Sequence, residues 1–142
     1  MSNYIIREIN KDEEDFIVDK IVQYNLSVVK LKQEIPLLWI NRCIENDNGE
    51  IIAGIISKIY CWNCVYVDTL WVKEEYRKEG LGSKLLEVVE KTSKEKGCNL
   101  IHLDTFDFQG KDFYIKQGYE IFGVLEDCPQ NHKRYFMKKN II

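Results

Sequence analysis

Apolar residues recur along this chain with two different periods, and the switches between them divide it into elements. "YIIREI", Tyr4–Ile9, reads as a first strand. From Asp12 to about Val29 the apolar residues Phe16, Ile17, Ile21, Tyr24 and Val28 fall at helical spacing. The acidic residues that open this stretch suit the positive end of a helix dipole. Pro36 ends any second short helix. "LLWINRCIE" and "EIIAGIISKIY" then read as strands joined by a hairpin turn at Asp47-Asn48-Gly49, because Asn-Gly readily takes positive φ. "VYVDTLWV", Val65–Val72, is rich in β-branched and aromatic residues and makes a further strand. A helix from about Leu81 to Lys96 carries Leu85, Leu86, Val88 and Val89 on one stripe, with Glu87–Lys91 and Glu90–Lys94 as i,i+4 pairs and Gly97 as its stop. "NLIHLDTF" is a strand, "KDFYIKQ" a short helix closed by Gly118, and "YEIFGVL" and "KRYFMKK" are the last strands. The order β–α–β–β–β–α–β–α–β–β predicts an α/β fold of the mixed α+β kind, a largely antiparallel central sheet in a single domain over residues 1–142.

Composition narrows the function without choosing it. Apolar residues at 45% and charged residues at 30% are globular values. A formal charge of −3 argues against non-specific binding to nucleic acid or to a membrane surface. No apolar run approaches the roughly 20 residues of a membrane span, and "MSNYIIREIN" does not read as a signal peptide. A cytoplasmic protein with no membrane or nucleic-acid partner is therefore expected. Five cysteines, an odd number, fit that setting. Cys61 and Cys64 form a CxxC between two strand-like runs. It lacks the second Cys/His pair of a zinc site and the following helix of a redox pair, so it reads as ordinary reduced thiols. Two isolated histidines, His102 and His132, complete no metal site, and no metal is expected.

Chemistry enters at "EEYRKEGLGSKLLE", Glu74–Glu87. Strand, two-glycine turn, helix is an arrangement that offers unpaired N–H groups to an anion. Gly80 and Gly82 remove side chains that would block a phosphate, Arg77 and Lys78 add charge, and Ser83 can add a hydroxyl. A pyrophosphate is a natural ligand. The stretch is not a GxxxxGK[ST] loop, and Leu85 stands where GxGxxG needs its third glycine.

"LWVKEEYRKEGLGSKLLEVVE" resembles the acetyl-CoA-binding motif of the GNAT N-acetyltransferase superfamily, with core R/Q-x-x-G-x-G/A. "TFDFQGKDFYIKQGYEIFG" resembles that family's later segment. The resemblance is strongest over residues 65–125. It implies a GNAT-like fold with splayed central strands and helices on both faces. It also implies acetyl-CoA as cosubstrate, an amine acceptor on a small molecule or peptide and, by analogy, a homodimer. The pantetheine arm would pair with the backbone of Leu70, Trp71 and Val72. The pyrophosphate would sit on the turn Arg77, Lys78, Glu79, Gly80, Leu81, Gly82 and Ser83. Asp107, Gly110 and Phe113 would add contacts, although Asp107 stands where the family often has Asn and Gly110 where Ala is frequent.

Acetyl transfer to an amine needs a base, a donor to the carbonyl oxygen and an acid for the leaving thiolate. Tyr114 matches the family's frequent general acid. Asp68, on the strand entering the wedge, is the leading base; strand alternation puts it on one face with Tyr66, Leu70 and Val72. Asp104 is the second candidate, and the Leu70 N–H the expected oxyanion donor. Tyr24, Trp39 and Trp62 are candidates for the acceptor pocket, and Glu126 and Asp127 for an acidic rim. The competing readings are a CoA-binding sensor or docking module without catalysis and a nucleotide-phosphate binder.

Overall fold

The computed structural model describes residues 2–142, which form two compact units, one ending at Leu31 and one running from Lys32 to Ile142. The first contains a single helix, α1, Lys11–Val28. Its start is fixed by a capping box: the Asn10 side chain accepts from the Glu13 N–H, and Glu13 accepts from the Asn10 N–H. Such a pair satisfies two donors that a helix start otherwise leaves unpaired. Tyr4–Ile9 forms no strand, which corrects the sequence expectation. Its β-forming side chains favour an extended chain, but a strand exists only by pairing, and this unit has no second strand. The apolar residues of α1 fall where their spacing put them, yet none is buried.

The second unit is a six-stranded mixed sheet in the order β1-β2-β3-β4-β6-β5. Its strands are β1 Leu37–Glu45, β2 Ile51–Tyr60, β3 Cys64–Val72, β4 Leu100–Phe106, β5 Glu120–Glu126 and β6 Lys133–Asn140. Two helices interrupt them, α2 Leu81–Glu95 and α3 Lys111–Lys116. All neighbouring strands are antiparallel except β3 and β4. One face of the sheet is dry. Leu85, Leu86 and Val89 of α2 pack with Ile55, Val65, Val67, Ile101, Leu103 and Met137, all 3% exposed or less. Full burial of side chains of this size contributes roughly 1.5–3 kcal/mol each, which makes this layer the core of the unit.

Two irregularities in β3 shape what lies above that core. Its parallel pairing with β4 covers only Cys64, Val65 and Tyr66, opposite Leu100, Ile101 and His102. Beyond that point the strands part, so the splayed seam expected between them is present. Against β2 the register slips: Ser57 faces Val67 while Ile56 faces Thr69, leaving Asp68 as the extra residue of a bulge. A single extra residue reverses which side chains point inward. Val65 and Val67 face the core before it, and Leu70 and Val72 pack against the core after it. Tyr66 therefore does not share a face with Leu70 and Val72, contrary to simple alternation.

Candidate active site

The glycine stretch folds as a short 3₁₀ turn, Glu74–Tyr76, followed by a left-handed turn into α2. Lys78 has φ +69° and Gly80, the residue capping α2, has φ +80°. The Gly80 requirement is conformational, since a Cβ there would meet nothing within 4 Å. No side chain caps the helix start, so the first N–H groups of α2 stay available at the positive end of its dipole. Gly82 answers to space instead. A Cβ there would lie 3.4 Å from the Phe113 ring and 3.7 Å from Val72. Arg77 donates from Nε to the Val72 carbonyl at 3.1 Å, tying the turn to the end of β3. The Ser83 hydroxyl donates to Gln117 Oε1 at 2.8 Å, so it is already occupied.

Where β3 and β4 part there is a cleft of about 760 Å³. It brings together Asp68, Leu70, Trp71, Val72, Arg77, Lys78, Gly80, Leu81, Gly82, Ser83, Gly110, Phe113 and Tyr114 from the expected set, with Asp104 on the opposite wall. Glu79 and Asp107 are not among its lining residues. Asp107 is engaged elsewhere, accepting from the Lys133 N–H and bonding His132 Nδ1, both at 2.9 Å. Burial pushes its carboxyl upward, but those two partners outweigh it and hold the group below the ordinary aspartate range. Sequence reading missed Thr105, Gln109 and Gln117, which also line the cleft. Their signal was weak, because each is a neutral polar residue whose role depends on a turn. Thr105 accepts from the Gly110 N–H at 3.1 Å, and Gln109 accepts from the Phe106 N–H at 2.9 Å.

Asp68, Asp104 and Tyr114 face the cleft in unlike settings. Tyr114 is buried, and its hydroxyl has no hydrogen-bond partner among the described residues. Burial, with a smaller push from Asp104, raises its phenol to about 12. It is therefore a protonated donor throughout the neutral range. Gly110 makes room for that ring, since a Cβ there would come within 3.3 Å of Tyr114 Cε2. Asp68 stands exposed on the bulge, and its one side-chain hydrogen-bond partner among the described residues is the Thr69 hydroxyl at 3.1 Å. Asp104 is fully engaged. Its Oδ1 accepts from Arg134 Nε at 2.9 Å and Nη2 at 2.5 Å, and its Oδ2 accepts from the Tyr66 hydroxyl at 2.9 Å. Behind it, burial lowers His102 below the ordinary histidine value against the pull of Asp104, and its Nε2 meets the Tyr60 hydroxyl at 2.7 Å. Trp39 carries Lys58 over its ring and Trp62 packs edge-on to Tyr60; neither lines the cleft. The five cysteines are free thiols, and no cluster of three metal-ligating side chains occurs among the described residues.

The chain belongs to the Acetyltransferase (GNAT) family, which matches residues 6–119. It is 31% identical over 96 residues to blasticidin-S acetyltransferase of Streptomyces morookaense, covering 67% of this chain and 70% of that protein. A crystal structure of an acetyltransferase from Bacillus cereus ATCC 14579 superposes with a TM-score of 0.88 at 37% identity, over 96% of this chain and 97% of that one. An aminoglycoside 6′-N-acetyltransferase solved with coenzyme A shares the fold, with a TM-score of 0.66 at 20% identity over 98% of both chains.

Proposed function

We propose that the protein transfers the acetyl group of acetyl-CoA to a primary amine of a small molecule or peptide, by direct attack within a ternary complex. The observation that carries this reading is the coincidence of three features in one cleft. They are the seam that opens beyond Tyr66, the uncapped glycine turn at its mouth, and Asp68 and Tyr114 within it. The name of the Streptomyces relative, blasticidin-S acetyltransferase, favours a small-molecule acceptor. The odd number of free thiols favours a cytoplasmic setting.

In this reading the backbone of Leu70, Trp71 and Val72 holds the pantetheine arm. The N–H groups from Lys78 to Ser83, with the charges of Arg77 and Lys78, hold the pyrophosphate. Acetyl-CoA supplies an activated thioester. Asp68 takes a proton from the ammonium, directly or through one water, since an amine with an ordinary pKa of about 10.4 must lose a proton before it attacks. The Leu70 N–H donates to the carbonyl oxygen as it gains charge. Tyr114 gives its proton to the departing thiolate as the C–N bond forms and the C–S bond breaks, and the second proton, shed by the acetylated nitrogen, restores the phenol through solvent. Asp104 is the poorer base because both of its oxygens already accept hydrogen bonds. No cysteine lines the cleft, so no acyl-enzyme is invoked. Mixing the protein with acetyl-CoA and a panel of amines, and following thiol release, tests the proposal. Amine-dependent release is expected. Tight CoA binding without release from any amine would reduce the protein to a CoA-binding module.

A further inference from the structure

The cleft does not end at its catalytic side chains. A shallow, mostly apolar groove crosses the outer face of β1, β2 and β3. Asn41, Arg42, Cys43, Ile56, Thr69 and Trp71 are among the residues that line it, and Thr69 and Trp71 also line the cleft. Asp68 stands at that junction, one residue from Thr69 and bonded to its hydroxyl. An acceptor reaching Asp68 along this groove would lay its body on Ile56 and Trp71.

The charges at the junction are asymmetric. Asp68 has no cation paired with it among the described residues, whereas Asp104 is cancelled by Arg134. Arg134 is itself held between two rings, 5.3 Å from the centroid of Phe106 and 5.5 Å from that of Phe136. A planar guanidinium fixed in this way makes two bonds to one carboxylate oxygen and cannot swing aside as a lysine could. The cleft thus presents one free negative charge to an acceptor, not two.

We infer that the acceptor is a primary amine with a single positive charge on an apolar body, because Arg42 lines the groove that takes the body and Arg134 withholds Asp104 from a second ammonium. The inference rests on the acetyl-transfer reading for its cleft. A diamine would carry its second ammonium into a mostly apolar groove that Arg42 lines and no carboxylate does, which costs desolvation and like-charge repulsion without return. Arg134 acts here as a positioning residue; it touches Asp104 rather than substrate.

Calorimetric titration of phenethylamine and of putrescine into the protein, with and without CoA, decides the matter independently of turnover. Wild type is expected to bind phenethylamine at least about tenfold more tightly than putrescine, a difference well within reach of apolar burial. Arg134→Gln should narrow the gap by tightening putrescine several-fold. Arg134→Lys, which keeps the charge, should preserve the order, and Ile56→Ser should weaken phenethylamine alone. Equal or tighter putrescine binding by wild type would overturn the inference, as would an Arg134→Gln variant that shifts both amines alike. If Arg134→Gln does not fold, the wild-type order and Ile56→Ser still decide. Absence of thiol release with the expected amine order would count against acetyl transfer and leave only the binding preference of the cleft and groove standing.

Discussion

The two ends of the cleft are built from different materials. At its mouth the groups on offer are backbone N–H donors, displayed by a left-handed turn at Lys78 and Gly80 and by an uncapped helix start. At its inner end they are side chains, Asp68, Asp104 and Tyr114, whose properties depend on a bulge, an arginine and burial. A backbone site tolerates changes of side chain but not of conformation or space. A side-chain site is the reverse, and its members fail one at a time. Binding should therefore be lost by changes at the mouth, and rate by changes within.

Tyr114→Phe should show the largest effect. Loss of a positioned acid is expected to lower kcat by about 10²- to 10⁴-fold, while calorimetry finds the CoA dissociation constant unchanged. A matching loss in affinity would erase the distinction between the two ends. Next is Gly82→Leu, whose side chain must displace Phe113 or enter the cleft. Overpacking of about 1–3 kcal/mol corresponds to roughly 5- to 150-fold weaker CoA binding, with circular dichroism unchanged. Gly80→Ala should do less. Nothing crowds that position, so only the left-handed backbone is penalised, by about 1–2 kcal/mol, and a modest fall in melting temperature should report it.

The smallest effect is a dependence of stability on acid. His102 is held below the ordinary histidine value of about 6.5. Below that pH the unfolded chain binds its proton more readily than the folded one, so the unfolded state gains as pH falls. The urea midpoint should drop between about pH 7.5 and pH 5.5, and His102→Phe should flatten that drop. An unchanged slope would show that His102 does not contribute.

These contrasts also explain which parts were legible in the sequence. The turn could be read because Gly80 and Gly82 are demanded by conformation and space, which residue type alone reveals. The six strands from Leu37 onward were legible from their apolar and β-branched runs between turn signals, α2 from its apolar stripe and its stop at Gly97, and α3 from its stop at Gly118. Tyr4–Ile9 misled because β propensity says nothing about whether a partner strand is available. Tyr66 was put on the wrong face because a bulge leaves no mark in composition; one unpaired residue, Asp68, reversed the phase behind it. Asp107 and Asp104 look alike in the sequence. Only the fold shows that one serves His132 and Lys133 away from the cleft, and that the other lines it already engaged by Arg134 and Tyr66. Residues whose role follows from their own geometry were readable, and residues whose role follows from a distant partner were not.

The division between a binding mouth and a reacting interior is tested most directly by Asp68→Asn, with kcat/KM for one amine measured beside the CoA dissociation constant. The account predicts a fall of about 10²-fold or more in kcat/KM and unchanged CoA affinity. Unchanged turnover, or a loss confined to CoA affinity, would contradict it.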